Sequence, residues 1–149
     1  MLNTLLLDNG IDPRKVAVLR HAGQGRLGIT PFDLWERHDG SYDRYQTTQK
    51  PGKPIFRNCS IWASFVSTPA KDTLFTGLYE ARLDDKAKID WPCPLNGERP
   101  GASKGYLSDL YAIKPLDRLA NYIGKMTIEW GDGNIGWVRY ASRNQFPIN

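Results

Sequence analysis

At Ser60 the pattern of this chain changes to a period of two, and that period commits most of its second half to β-structure. Ser60-Ile-Trp-Ala-Ser-Phe-Val66 reads as one strand and Thr68–Asp72 as a turn. Thr73–Leu83 reads as a longer strand in which Gly77 marks a bulge or a close approach. Residues 84–105 are a long loop rich in Pro and Gly, and Tyr106–Ile113 is a further strand. Met126–Ile148 reads as a β-hairpin, because apolar and polar residues alternate on both sides of the turn Gly131-Asp-Gly-Asn134. About five short, mostly antiparallel strands that bury one face tend to close into a small barrel.

The first third carries helical signals instead. Leu2, Leu5 and Leu6 share one face of a helix that Gly10 ends. Lys15–Leu19 is a short apolar strand running into Arg20-His21, followed by a flexible Gly-rich loop at 22–28. Thr30-Pro-Phe-Asp33 opens a helix: Thr30 caps, Pro31 takes the first helical position, and Asp33 stands where a capping box needs an acid. Ser41–Gln46 forms a second helical piece, with a polar loop over 47–54. Pro115–Ile123 reads as one more helix, opened by its proline. The expected fold class is therefore α+β: a small, mostly antiparallel β-barrel with N-terminal helices. It forms one domain over residues 1–149, helical over 1–50 and β-rich over 51–149.

The net charge of +4 is unevenly placed. Residues 1–48 hold six basic and six acidic side chains, and residues 49–149 hold fourteen and ten, so the whole excess lies with the aromatic strands. A mild basic excess is compatible with nucleic acid without requiring it. No apolar run approaches the roughly 18 residues of a membrane span, and Leu5-Leu-Leu7 is too short for a signal peptide, so a cytoplasmic protein is expected. Cys59 and Cys93 form no CxxC pair, and only His21 and His38 are there to complete a zinc set. Two free thiols in a reducing compartment is the simpler reading, with no metal and no cofactor.

Catalytic signatures are missing from the sequence. It has no P-loop, no dinucleotide-binding glycine pattern, no nucleophile elbow and no HExxH. Gly77-Leu-Tyr79 and Tyr122-Ile-Gly124 mimic the two halves of a GIY-YIG nuclease motif, but residues 80 to 121 separate them, where the motif needs adjacent strands. No enzyme activity is expected of this chain.

The positive signals are aromatic and cationic. Arg20-His21 ends a strand, where it suits a phosphate or base contact, or equally a surface arginine beside a histidine held by a backbone carbonyl. Tyr45-Gln-Thr-Thr-Gln49 lines up hydrogen-bonding side chains that read base edges, although a helix end entering a polar loop has the same look. In the strand at 60–66, Ile61, Ala63 and Phe65 form the core set, which turns Trp62 and Ser64 to the other face. In the terminal hairpin the same parity argument points Val138 and Tyr140 inward and Trp137 with Arg139 outward.

With those residues laid out, the chain resembles the N-terminal, non-catalytic region of bacterial GIY-YIG nuclease-family proteins. The resemblance rests on Leu5-Leu-x-x-x-Gly-Ile-Asp-Pro13, the strand ending Leu19-Arg20-His21, Tyr45-Gln-x-Thr-Gln49 and Ala63-Ser-Phe-Val66. It continues through Leu74-Phe-x-Gly-Leu-Tyr79, Trp137-Val-Arg139 and Arg143-Asn-Gln-Phe-Pro-Ile148, covering nearly the whole chain in short, ordered pieces. In such proteins the nuclease domain follows this region, so the chain is expected to be an excised domain or a stand-alone relative. More distantly, by architecture alone, it is similar to the small PUA-superfamily barrels of EVE, ASCH, YTH and SRA type, which hold a modified or flipped base in an aromatic pocket.

The resemblance implies a DNA-binding specificity domain in a bacterial restriction–modification setting, with a modified or flipped base as one candidate target and a GIY-YIG nuclease as partner. Arg20, Arg139 and Arg143 are the expected backbone contacts. Trp62, Tyr45 and Trp137 are the expected stacking residues; Gln46, Gln49, Ser64 and Asn144 are the edge readers; His21 suits either role. The competing readings are a protein-interaction domain that only positions a nuclease, and an RNA-binding PUA-like module.

Overall fold

The computed structural model describes residues 1–25, 27–49, 53–84, 109–131 and 136–149, the side chains of 48, 49 and 109 excepted. Most of the expected 84–105 loop, the start of the Tyr106 strand, Cys93 and the turn residues 132–134 lie outside the described residues. In chain order the elements are α1 (Leu2–Asp8), β1 (Val16–His21), α2 (Pro31–Arg37), α3 (Ser41–Thr47), β2 (Thr48–Gln49), α4 (Pro54–Asn58), β3 (Ile61–Ser67), β4 (Thr73–Leu83), β5 (Asp109–Leu116), β6 (Thr127–Ile128) and β7 (Val138–Tyr140). The fold is α+β.

The chain divides into two compact units, and β4 and β5 each run from one into the other. The first unit comprises Met1–His21, Pro54–Ala81 and Lys114–Asn149. Its sheet is mixed. β1 lies parallel to β3, from Val16 opposite Ile61 to His21 opposite Val66. β4 pairs antiparallel with β3, β6 with β4, and β7 with β1. The expected barrel is not supported: β7 pairs only with β1 among the described residues, so the sheet is open at that edge. Parallel pairing of β1 and β3, joined by the long crossover of residues 22–60, also departs from the mostly antiparallel winding expected.

The expected terminal hairpin is also corrected. Its two arms do not pair with each other among the described residues. β6 joins β4 through Thr73–Ile128 and Leu74–Thr127, whereas β7 joins β1. Ile128 bridges Ile148 instead. Nor does a helix form over 115–123. β5 continues to Leu116, and only a single 3-10 turn follows at Ala120–Tyr122. Leu119 breaks the helical path with φ of 63°, a left-handed conformation that puts its side chain into the core. Tertiary burial there outweighs local helix preference.

One face of the sheet packs as expected. Ala63 and Phe65 of β3, Val16 and Val18 of β1 and Phe75 of β4 are buried with Leu2 and Leu6 of α1, Met126, Trp130 and Phe146. Backbone and side chain seat α1 on the C-terminal segment: Leu2 N–H donates to the Phe146 carbonyl at 3.0 Å, and Asn3 Nδ2 to the Ala141 carbonyl at 2.8 Å. The opposite face is buried too, with Ala17, Leu19, His21, Trp62, Ser64 and Val66 all enclosed. β1 and β3 therefore bury both faces, as parallel-paired central strands do, and residue parity no longer separates core from solvent.

The anticipated bulge is present. Ser64 stands opposite Gly77 and Phe65 opposite Phe75, leaving Thr76 as the extra residue, whose Oγ1 donates to the Ser64 carbonyl at 3.0 Å. Gly77 has φ of +148°, a backbone conformation that residues with side chains rarely adopt, so glycine is what permits it.

The second unit comprises Ala22–Lys53 and Arg82–Ile113. Its α2 starts with the capping box read from sequence. Asp33 N–H donates to Thr30 Oγ1 at 3.1 Å, and Thr30 N–H donates to the Asp33 carboxylate at 2.9 Å. β2 pairs antiparallel with β5, Thr48 opposite Leu110 and Gln49 opposite Asp109. Among the described residues, no helix is long and apolar enough to cross a membrane.

Candidate nucleic-acid interface

The arginines converge where β7 docks on β1. Register is the cause. Val18 lies directly opposite Arg139, so Arg139 shares the core-side face with Val18. One step further along, Arg20 N–H donates to the Trp137 carbonyl at 2.8 Å, extending the pairing and bringing Arg20 onto that same face. Both guanidiniums meet the ring of Trp130, which is delivered by the segment after β6. The Arg139 guanidinium carbon lies 4.7 Å from the centre of its ring and that of Arg20 5.3 Å. Phe146 stacks on the indole with 5.3 Å between ring centres, and Trp130 Nε1 donates to the Gly136 carbonyl at 3.3 Å. The indole is thereby fixed on two sides before any ligand is considered.

The two arginines are not equivalent. Arg139 is only 8% exposed, and its Nη1 donates to the Trp130 carbonyl at 2.7 Å. Burial, and secondarily the charge of Arg20, pulls its ionisation below the ordinary arginine value, although an arginine in this setting stays protonated. Arg20 is half-buried. Its Nε is enclosed with no hydrogen-bond partner among the described residues; its terminal nitrogens also lack partners there but are not enclosed.

This arrangement corrects the parity expectation for the terminal segment. Arg139 points inward, while Val138 and Tyr140 are half-buried on the other face. Nor does Trp137 share a face with Arg139. The chain bends just before β7, and the Trp137 ring meets Phe56 of α4, with 5.7 Å between ring centres.

A second cationic group forms around Tyr140. The Arg143 guanidinium lies 4.2 Å from the centre of the Tyr140 ring, Asn58 Nδ2 donates to the Tyr140 hydroxyl at 2.9 Å, and Asn144 Nδ2 donates to the Tyr140 carbonyl at 2.8 Å. Arg143 is exposed and has no ion-pair partner among the described residues. Neighbouring Cys59 is buried, and burial pushes its thiol up to about 11 against the opposing charge of Arg143. Such a thiol is inert at neutral pH.

The other expected contacts lie elsewhere. Trp62 is fully buried, its ring 5.3 Å from that of Phe56, so it offers no open face for stacking. Ser64 and His21 are enclosed on the same side of the sheet. In the second unit, Gln46 is fully buried with Nε2 donating to Asp43 at 3.3 Å, Tyr45 is half-buried, and Gln49 contributes backbone to β2, its side chain lying outside the described residues. Asn144 braces the Tyr140 carbonyl. Sequence reasoning did not assign Trp130, Phe146, Tyr140 or Asn58 to the site. Only the long-range pairing of β7 with β1 makes them neighbours of the arginines. Among the described residues, no group of three or more His, Cys, Asp and Glu could hold a metal ion.

Compared with known protein families, curated proteins and solved structures, the chain matches none.

Proposed function

We propose that this chain is a nucleic-acid-binding specificity domain that grips DNA along the β1–β7 edge. One observation carries it: Arg20 and Arg143, from distant parts of the sequence, each stand against an aromatic ring beside that edge and have no acidic partner among the described residues. Guanidiniums held in place by ring faces lose little freedom on meeting a phosphate, and they suit backbone contacts. The basic excess of residues 49–149 supports the same polarity.

Base discrimination, with a modified or flipped base as its target, falls to half-buried Trp137 and to Asn144 beside this edge. Support for the modified base and for a GIY-YIG nuclease partner comes from the sequence resemblance. Fluorescence anisotropy with unmodified and modified duplexes and matched RNA tests the reading. DNA binding that weakens steeply with salt and prefers one modification is expected. If no duplex binds better than micromolar at low salt, the DNA reading is to be dropped. Tighter binding to RNA then favours an RNA module, and no binding to either favours a domain that positions a protein partner.

A further inference from the structure

We infer that Arg20 is an end-on phosphate contact, its two terminal nitrogens holding one phosphate group, while buried Arg139 positions it and supplies positive field without touching the ligand. This rests on the nucleic-acid reading above and assigns separate roles within that site.

The burial pattern sets the mode of contact. Arginine meets an oxyanion either side-on through Nε and one Nη, or end-on through both Nη atoms. The Arg20 Nε is enclosed, so the side-on approach is closed; the terminal nitrogens are not enclosed, so the end-on fork is open. None of these donors has an acceptor among the described residues, and donors left unmatched near the interior gain most from an anion. Arg139 cannot take the same part, because it is buried and its Nη1 is committed to the Trp130 carbonyl. Its charge still acts. Both guanidiniums lie within 5.3 Å of the centre of one indole, and a cation removed from solvent is weakly screened, so it raises the potential at the Arg20 fork. The two like charges repel each other until an anion arrives, which ties ligand affinity to Arg139. Trp130, locked by Phe146 and Gly136, keeps the spacing.

The test is the arginine Nε–H region of the 15N–1H NMR spectrum, where the enclosed Arg20 Nε–H gives a signal assigned by its loss in Arg20→Lys. The probes are inorganic phosphate, acetate and chloride at matched ionic strength. The Arg20 signal is expected to shift saturably with phosphate, more weakly with acetate, and not with chloride. Removing the nearby charge in Arg139→Met is expected to weaken the phosphate midpoint roughly five- to tenfold, and Arg139→Lys to restore most of it if the charge is what matters. A shift that is linear and equal for all three salts overturns the site. An unchanged midpoint in folded Arg139→Met, or no rescue by Arg139→Lys, overturns the role of Arg139. Saturable phosphate binding without DNA binding keeps this site and removes the nucleic-acid reading. DNA binding with a silent Arg20 does the reverse.

Discussion

Arg139 is tied to Trp130 twice: its Nη1 donates to the Trp130 carbonyl at 2.7 Å, and its guanidinium carbon lies 4.7 Å from the centre of the Trp130 ring. A hydrogen bond from a charged donor contributes roughly 1.5–3 kcal/mol, and a desolvated cation–π contact adds up to about 2 kcal/mol. Relief of repulsion from Arg20 offsets part of that loss. Arg139→Met is therefore expected to destabilise the fold by about 1–3 kcal/mol, read as a lower urea midpoint with an unchanged slope. An unchanged midpoint would show that this clamp contributes nothing net.

Tyr140 holds Arg143 in place, and Asn58 holds Tyr140. Tyr140→Phe keeps the ring and removes only the hydroxyl, so it is expected to lower DNA affinity no more than Asn58→Ala does, and both less than Arg143→Ala. Tyr140→Ala, which removes the ring, should approach Arg143→Ala. If Tyr140→Ala binds like the wild type, Arg143 needs no positioning.

Trp62 belongs to the core rather than to a ligand. Its fully buried ring against Phe56 predicts a loss of roughly 3–5 kcal/mol in Trp62→Ala. Trp62→Phe is expected to keep DNA binding intact. A folded Trp62→Phe that loses base preference would return this residue to the recognition site.

Cys59 gives a pH signature. Its native thiol is raised by burial to about 11, whereas an unfolded thiol titrates near 8.5. Between those values the unfolded chain has released the proton and the native chain has kept it. This group therefore makes stability fall as pH rises through that window, and has no effect on pH dependence below it. In a Cys93→Ser background, iodoacetamide is expected to label Cys59 far more slowly in native protein than in urea. Equal rates would show that the thiol is open.

Local signals were legible in the sequence, and long-range pairings were not. Thr30 and Asp33 form the capping box their spacing announces, Gly77 sits at the bulge, and β4 spans Thr73–Leu83 as its alternation implies. Each depends on residues near in sequence. The terminal segment fails as a hairpin because β7 finds its partner some 120 residues upstream in β1, which no local pattern encodes. The same pairing inverts Arg139 and brings it to Trp130. Parity misplaced Trp62 because β3 buries both faces, a consequence of its parallel neighbour. Arg20, Arg139 and Arg143 were legible as cations worth attention; that the first is half-buried, the second buried and the third exposed appears only in three dimensions.

The salt dependence of DNA affinity for the wild type, Arg20→Ala and Arg143→Ala tests the proposed interface most directly. If each arginine neutralises one phosphate, each substitution lowers low-salt affinity for every duplex alike, and reduces the slope of log affinity against log salt by about 0.9. Wild-type slope and affinity in both folded variants would contradict a DNA contact at the β1–β7 edge.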